Sequence, residues 1–235
     1  MPALEYLCTV QSLKMITPTV FELCFDTNQP LEFKAGQFIS VVVPGAGPNG
    51  RDLRRAYSIA SHPEKRPIEL CVKLVEGGPG TNYLYKCLPG TTFKGFAPYG
   101  DFVYKPRPGR VPCFISTGTG IAPFRAMILS EAYQKAPPAK AYSIFGVREE
   151  SEVLYQAELT GRPGLEQVTA LSRPGADWKG FKGRVTDYMR SLGTEFPWLE
   201  TDYYLCGNGE MITEIKALLT EKGVTKDAIH QEKYY

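Results

Sequence analysis

Histidine is nearly missing from this chain: of 235 residues only His62 and His230 carry an imidazole, too few for a catalytic zinc constellation. Cysteine is sparse and scattered. The thiols of Cys8, Cys24, Cys71, Cys87, Cys113 and Cys206 stand at least 16 positions apart, so no Cys-x-x-Cys pair and no iron–sulfur spacing exists, and no metal site is expected. An excess of one charge is also lacking. Lys plus Arg at 27 against Asp plus Glu at 25 leaves +2, which speaks against nucleic acid as a partner. No apolar run reaches bilayer-spanning length, so membrane insertion is not expected. The polar-punctuated start MPALEYLCTV does not read as a secretory leader. Isolated thiols without a leader predict a reducing, cytoplasmic setting.

What is present falls into two patterns. Up to about Tyr104, runs such as Val20 to Phe25, Gln37 to Val43, Ala56 to Ala60 and Ile68 to Val75 are rich in β-branched and aromatic residues and bounded by Pro, Gly or Asn. This predicts an antiparallel barrel or sandwich. The stretch KPRPGRVP from Lys105 to Pro112 has linker chemistry, so the domain boundary is set there, giving domains 1–106 and 107–235. Beyond it, apolar strands alternate with helical spacing. Strand Cys113 to Ser116 precedes a helix over Ala122 to Gln134, and strand Ala141 to Phe145 precedes one near Val153 to Leu159. Strand Val168 to Leu171, a helix over Val185 to Leu192, strand Tyr203 to Cys206 and a helix from Met211 through Leu219 follow, with Gly223 as its C-cap. Such alternation predicts a parallel sheet covered on both faces, with ligands at the carboxyl ends of its strands.

Two short segments carry chemistry. Thr117-Gly118-Thr119-Gly120-Ile121-Ala122-Pro123 follows a strand and opens a helix, so its glycines admit a pyrophosphate to the backbone and the helix aims its positive end there. It is neither a Walker loop nor a full GxGxxG, and alone it also fits a strand-to-helix turn with no ligand. Arg55-Ala56-Tyr57-Ser58 sets a phosphate-binding cation beside an aromatic face and a hydroxyl. In an extended strand Arg55 and Tyr57 share one side and Ser58 takes the other. Alone, these residues equally fit a core tyrosine beside a surface arginine.

Together the segments resemble the ferredoxin–NADP reductase superfamily of two-domain flavoprotein reductases, nearest to its bacterial stand-alone ferredoxin or flavodoxin reductases. The likeness spans nearly the whole chain. The R-x-Y-S/T motif stands at Arg55, Tyr57 and Ser58, and the G-x-x-S/T turn at Gly78-Pro79-Gly80-Thr81. The loop G-T/G-G-x-A/T-P runs from Gly118 to Pro123, and C-G-x-x-x-M from Cys206 to Met211. Ala35-Gly36-Gln37-Phe38 and Ala97-Pro98-Tyr99-Gly100 add support, although Ala97 stands where the family usually has glycine.

The resemblance implies an N-terminal antiparallel β-barrel holding flavin, followed by a C-terminal Rossmann-like α/β parallel sheet for the nicotinamide coenzyme. It implies that Arg55 binds the flavin pyrophosphate, that Tyr57, next to Ala56, stacks on the isoalloxazine, and that Ser58 bonds near N5. Gly80 and Thr81 would hold flavin phosphate, and Gly118, Thr119, Gly120 and Pro123 the coenzyme. Cys206, with Gly207 and Met211, would border the nicotinamide. The ending Gln231-Glu232-Lys233-Tyr234-Tyr235 resembles family members in which a terminal aromatic covers the flavin, assigning Tyr234 or Tyr235 to that lid and Glu232 to the nearby carboxylate. Ser58, Cys206 and Glu232 form the expected catalytic set. Ser172-Arg173 and Gly183-Arg184 look like the pair that holds the 2′-phosphate, and Arg148 matches another coenzyme position, so NADP is favoured over NAD. The implied activity passes hydride between NADP(H) and FAD and single electrons to or from ferredoxin or flavodoxin, in a monomer. Three alternatives stay open: FMN in place of FAD, an NADH-dependent oxygenase reductase component, and a flavin-binding electron-transfer or regulatory subunit without NAD(P)H turnover.

Overall fold

The computed structural model describes residues 3–234, so Tyr235 lies outside the described residues. The chain forms two compact units, one running through Tyr104 and taking in Ala122–Ala132, the other comprising Lys105–Ile121 and the chain from Tyr133 onward.

In the first unit, β1 (Leu4–Thr17), β2 (Val20–Thr27), β3 (Phe38–Val43), β4 (Leu53–Ser58), β5 (Ile68–Lys73) and β6 (Thr92–Tyr99) form an antiparallel sheet in the order β4-β3-β6-β1-β2-β5. Its outer strands meet. Ile59 bridges Leu70, and the Ala60 N–H donates to the Glu69 carbonyl at 2.8 Å, closing the sheet into the expected barrel and removing its open edges. Alternation then fills the interior: Phe21, Leu23 and Phe25 of β2, Ile39 and Val41 of β3, and Ile68, Leu70 and Val72 of β5 are buried together. Helix α1 (Pro79–Tyr85) starts on a proline, whose missing N–H costs nothing in a first turn. Helix α2 (Ala122–Leu129) is buried from Ala122 to Ile128 and packs with this unit. The single helix expected to Gln134 is interrupted at Ser130, whose hydroxyl donates to the Met127 carbonyl at 2.7 Å, and α3 (Glu131–Lys135) follows.

In the second unit, β7 (Val111–Thr117), β8 (Ala141–Val147), β9 (Leu165–Leu171), β10 (Phe181–Lys182), β11 (Thr201–Asn208) and β12 (Ile229–Tyr234) form a sheet ordered β10-β9-β8-β7-β11-β12, with every pair parallel. Strand order reverses at β7. The carboxyl ends of β7 and β11 therefore flank the switch point at which open α/β sheets bind ligands. Helices α5 (Val185–Ser191) and α6 (Gly209–Glu221) press Val185, Met189, Ile212, Ile215 and Leu219 onto one face of this sheet. On the other face Tyr204 stacks on His230, with ring centroids 4.6 Å apart, and Tyr133 approaches Phe114. Helix α6 ends as expected: Gly223, at φ +80°, donates to the Thr220 carbonyl, and the Val224 N–H to that of Leu219. The helix expected from Val153 is reduced to α4 (Gln156–Leu159), because Tyr155 sits in the left-handed region at φ +53°, which no α-helix continues through.

The proline-rich segment after Tyr104 is tied down along its length. Arg107 and Arg110 both donate to Asp202, itself 2% exposed, and Arg110 also reaches the Leu199 and Thr201 carbonyls. The Lys105 N–H adds a 3.2 Å bond to the Tyr204 hydroxyl.

Candidate functional site

In the first unit, pairing of β4 with β3 sets Arg55 opposite Val41 and Tyr57 opposite Ile39, on the side of the strand that faces the core. Ser58 lies on the other side, opposite Phe38, and is 5% exposed; Ala56, opposite Ser40, is exposed. The first turn of α1 closes over Arg55 and Tyr57. A Cβ placed on Gly80 would stand 2.5 Å from the Tyr57 hydroxyl and 2.8 Å from Arg55 Cγ, so only glycine allows this approach. Burial pushes the Tyr57 phenol up to about 12 against the opposing charge of Arg55, so it is a protonated donor at neutral pH. Arg55 is exposed, and among the described residues no carboxylate lies within ion-pair distance of it. Its neighbour Arg54 is committed elsewhere, lying 4.1 Å above the Phe96 ring and donating to Ser40 and Tyr99. The Thr81 hydroxyl is held inside its own turn, accepting from the Val75 N–H at 3.2 Å and donating to the Gly78 carbonyl at 3.3 Å. A charged fork without a counter-ion, a phenol donor and a glycine at a helix start together fit a phosphate-bearing aromatic cofactor.

In the second unit the loops after β7 and β11 interlock. A Cβ on Gly120 would overlap the Cys206 carbonyl oxygen, and one on Gly207, at φ +133°, would overlap the Thr117 hydroxyl. Thr117 Oγ1 accepts the Asn208 N–H at 3.0 Å, and Asn208 Oδ1 caps α6 by accepting from Glu210 N–H at 2.7 Å. Strand β12 pairs Glu232 with Cys206 and Tyr234 with Asn208. Cys206 is fully buried, and burial and then the Glu232 charge push its thiol up, opposed by a hydrogen bond from Tyr234. It is a thiol at neutral pH, not a nucleophilic thiolate. Cys206 is thus brought beside Glu232 and Tyr234, which follow it by 26 and 28 positions, at the switch point, with Met211 buried in the first turn of α6 and Gly118 and Thr119 in the turn after β7. Pro123 lies one residue into α2, in the other unit.

Further along the sheet, Ser172 N–H donates to the Val147 carbonyl at 3.1 Å, Arg173 N–H to that of Arg148 at 2.8 Å, and Gly183 N–H to that of Leu171 at 2.8 Å. These bonds gather Arg148, Ser172, Arg173 and Arg184 at the carboxyl ends of three adjacent strands. All are exposed, and among the described residues none of the three arginines has a carboxylate partner. The acids nearby serve the backbone: Glu152 accepts from Arg148 N–H at 2.9 Å, Glu150 from Gly175 N–H at 3.2 Å, and Asp187 from Arg184 N–H at 2.8 Å. Sequence reasoning assigned no role to Thr117, Asn208, Glu150 or Glu152. Thr117 and Asn208 sit inside quoted motifs and were within reach of it.

Comparison with known proteins gives two family models: the oxidoreductase FAD-binding domain over residues 7–104 and the oxidoreductase NAD-binding domain over residues 114–217. Ferredoxin–NADP reductase B of Sorangium cellulosum is 32% identical over 235 residues, covering 95% of each chain. The phenol 2-monooxygenase reductase component DmpP of a Pseudomonas species is 30% identical, over 100% of this chain and 67% of that one. The crystal structure of the cytochrome P450 reductase GcoB from Amycolatopsis superposes with a TM-score of 0.86 at 28% identity, over 99% of this chain and 70% of that one. Among the described residues no helix is long and apolar enough to cross a membrane.

Proposed function

The chain belongs to the ferredoxin–NADP reductase superfamily of two-domain flavoprotein reductases, and on that premise we propose an NADPH-dependent enzyme that binds FAD in its first unit and passes single electrons to ferredoxin or flavodoxin. Bound FAD supplies the exchange between two-electron hydride transfer and one-electron steps. Arg55 forks onto its diphosphate, aided by Gly80 and Thr81, the Tyr57 ring stacks on the isoalloxazine, and the Ser58 hydroxyl holds a hydrogen bond at N5. In the second unit Gly118, Thr119 and Gly120, with Pro123 of the following helix, receive the coenzyme pyrophosphate. Cys206, Gly207 and Met211 border the nicotinamide, and Glu232 is the carboxylate beside it. Ser172, Arg173 and Arg184 hold the 2′-phosphate, with Arg148 beside them.

One observation carries the coenzyme choice. Three exposed guanidiniums without carboxylate partners occupy neighbouring strand ends, where an NAD site places an acid for the ribose. The six free cysteines support a reducing, cytoplasmic setting. A second reading, an NADH-linked reductase component of an oxygenase, is favoured by the 30% identity to the phenol 2-monooxygenase component. Steady-state oxidation of NADPH and NADH by flavin-loaded protein, with ferricyanide as acceptor, separates the two. A higher kcat/KM for NADPH is expected; a preference for NADH selects the second reading, and turnover with neither leaves a flavin-binding subunit. Ser58→Ala tests the site itself: flavin content stays at the parental level while its reduction by NADPH slows in stopped flow. Reduction at the parental rate removes Ser58 from the catalytic set.

A further inference from the structure

Arg125 is a charged side chain 2% exposed within an otherwise apolar helix, and none of the roles above uses it. Its Nη1 donates to Glu69 Oε2 at 2.6 Å and to the Ala60 carbonyl at 3.0 Å. Lys65 Nζ holds the other Glu69 oxygen at 2.6 Å. Burial pushes the Glu69 carboxyl up, but hydrogen bonds from Lys65 and Arg125 and their charges outweigh it and hold the pKa below its ordinary value. Both partners are therefore charged at neutral pH. A buried pair of this kind is often no more stabilising than well-packed apolar residues of the same volume, so burial of the pair is by itself weak evidence of a stabilising role.

Its position points to another role. Ala60 stands two residues past Ser58, and the chain from Ser58 to Ser61 is bonded at every step. Ile59 N–H donates to the Gln37 carbonyl at 3.0 Å, Ala60 N–H to that of Glu69 at 2.8 Å, and Glu69 N–H to the Ser61 hydroxyl at 3.1 Å. At the other end, Arg125 lies in the first turn of α2, which begins at the residue following the turn Gly118–Ile121. One guanidinium thus joins the strand end that carries Ser58 to the helix opened by the coenzyme loop. We propose that Arg125 is a positioning residue, which through Ala60 and Glu69 fixes the Ser58 end of β4 against the first turn of α2. This rests on the reading of Ser58 and of Gly118–Ile121 as flavin and coenzyme contacts.

The test uses the full-length, flavin-loaded enzyme in two forms. Arg125→Lys keeps the charge but loses the fork, and Arg125→Met with Glu69→Gln removes both charges and so leaves no orphaned carboxylate in the interior. Each is assayed for flavin content, flavin absorbance spectrum, melting temperature, and the rate of flavin reduction across a range of NADPH concentrations. A positioning role predicts full flavin content, a displaced spectrum, and a limiting rate about tenfold lower or more at saturating NADPH. The apparent dissociation constant for NADPH moves less than the limiting rate. A parental limiting rate and spectrum in folded, flavin-replete variants, whatever their melting temperatures, overturn the proposal and leave Arg125 a packing residue. Failure of the parent protein to hold flavin or to accept electrons from NADPH is the distinct result that overturns the underlying reading.

Discussion

Arg55, Tyr57 and Ser58 stand inside strand β4, held by its ladder to β3 and by the bridge that closes the barrel, whereas Gly120, Arg148, Arg173 and Arg184 stand beyond the carboxyl ends of parallel strands. Each barrel residue inherits its orientation from cross-strand bonds on a closed sheet. The residues beyond the parallel strands sit on loops braced by a few local bonds, such as Thr117 to Asn208, Glu150 to Gly175 and Arg173 to Arg148, and not by a continuous ladder. A strand-held site suits a cofactor that stays; a site of loops at strand ends suits a coenzyme that must arrive and leave at every turnover.

Substitutions can separate the two arrangements. The largest effect is expected from Gly120→Val, whose side chain would be driven into the Cys206 carbonyl and would part the two loops. A fall in kcat/KM for NADPH of about a hundredfold is expected, with flavin content unchanged, because a displacement near 1 Å is enough for such a loss. If flavin is lost as well, the two sites are not independent. Next comes Arg55→Ala. With Arg55 on the flavin diphosphate as proposed, losing that charge-assisted contact would cost about 1.5–3 kcal/mol, or about ten- to a hundredfold in flavin affinity, read as flavin retained after gel filtration. Arg173→Ala and Arg184→Ala are smaller, each lowering kcat/KM for NADPH about tenfold while leaving NADH nearly unchanged, since only NADPH carries the 2′-phosphate. Equal losses with both coenzymes would make these arginines structural.

The smallest effect concerns pH. Glu69 has a folded-state pKa below its ordinary 4.5, so its contribution to stability is fully present above about 4.5 and is lost as pH falls through the lower folded value. Thermal melts in a pH series should be flat with respect to this group at neutral pH and fall only on the acid side. In Glu69→Gln that acid-side slope should be shallower. An unchanged slope would mean that other carboxylates govern acid unfolding.

Strands β2, β3, β5, β7, β8 and β11 were legible because runs of β-branched and aromatic residues recur between turn formers, and each was placed within a few residues of its observed bounds. Strand β1 was not singled out. Its ladder to β2 shifts register between Val10 and Ser12 and again between Met15 and Thr17, so the two-residue alternation that betrays a strand is broken twice. Strand β12, IHQEKY, has too little apolar patterning to announce itself; its order comes from parallel pairing with β11, which sequence spacing does not encode. The motif at Arg55 to Ser58 was readable since its residues are adjacent in one strand. The closure of Gly80 over it was not, and neither was the bond from Arg125 to Glu69, because the partners lie 25 and 56 positions apart and meet only in the folded chain.

The path of the chain bears on how such proteins can be recombined. It leaves the barrel unit after Tyr104, returns to it at Ala122 and leaves again after Ala132. A breakpoint in the proline-rich segment looks natural from the sequence, yet it would hand the barrel of one parent the α2 helix of another. A fragment ending at Tyr104 would carry Glu69 with no arginine to meet it. Chimaeras joined at that segment should therefore fold best when both parents carry a matching pair at positions 69 and 125, and grafts that move residues 122–132 together with the barrel should escape that restriction.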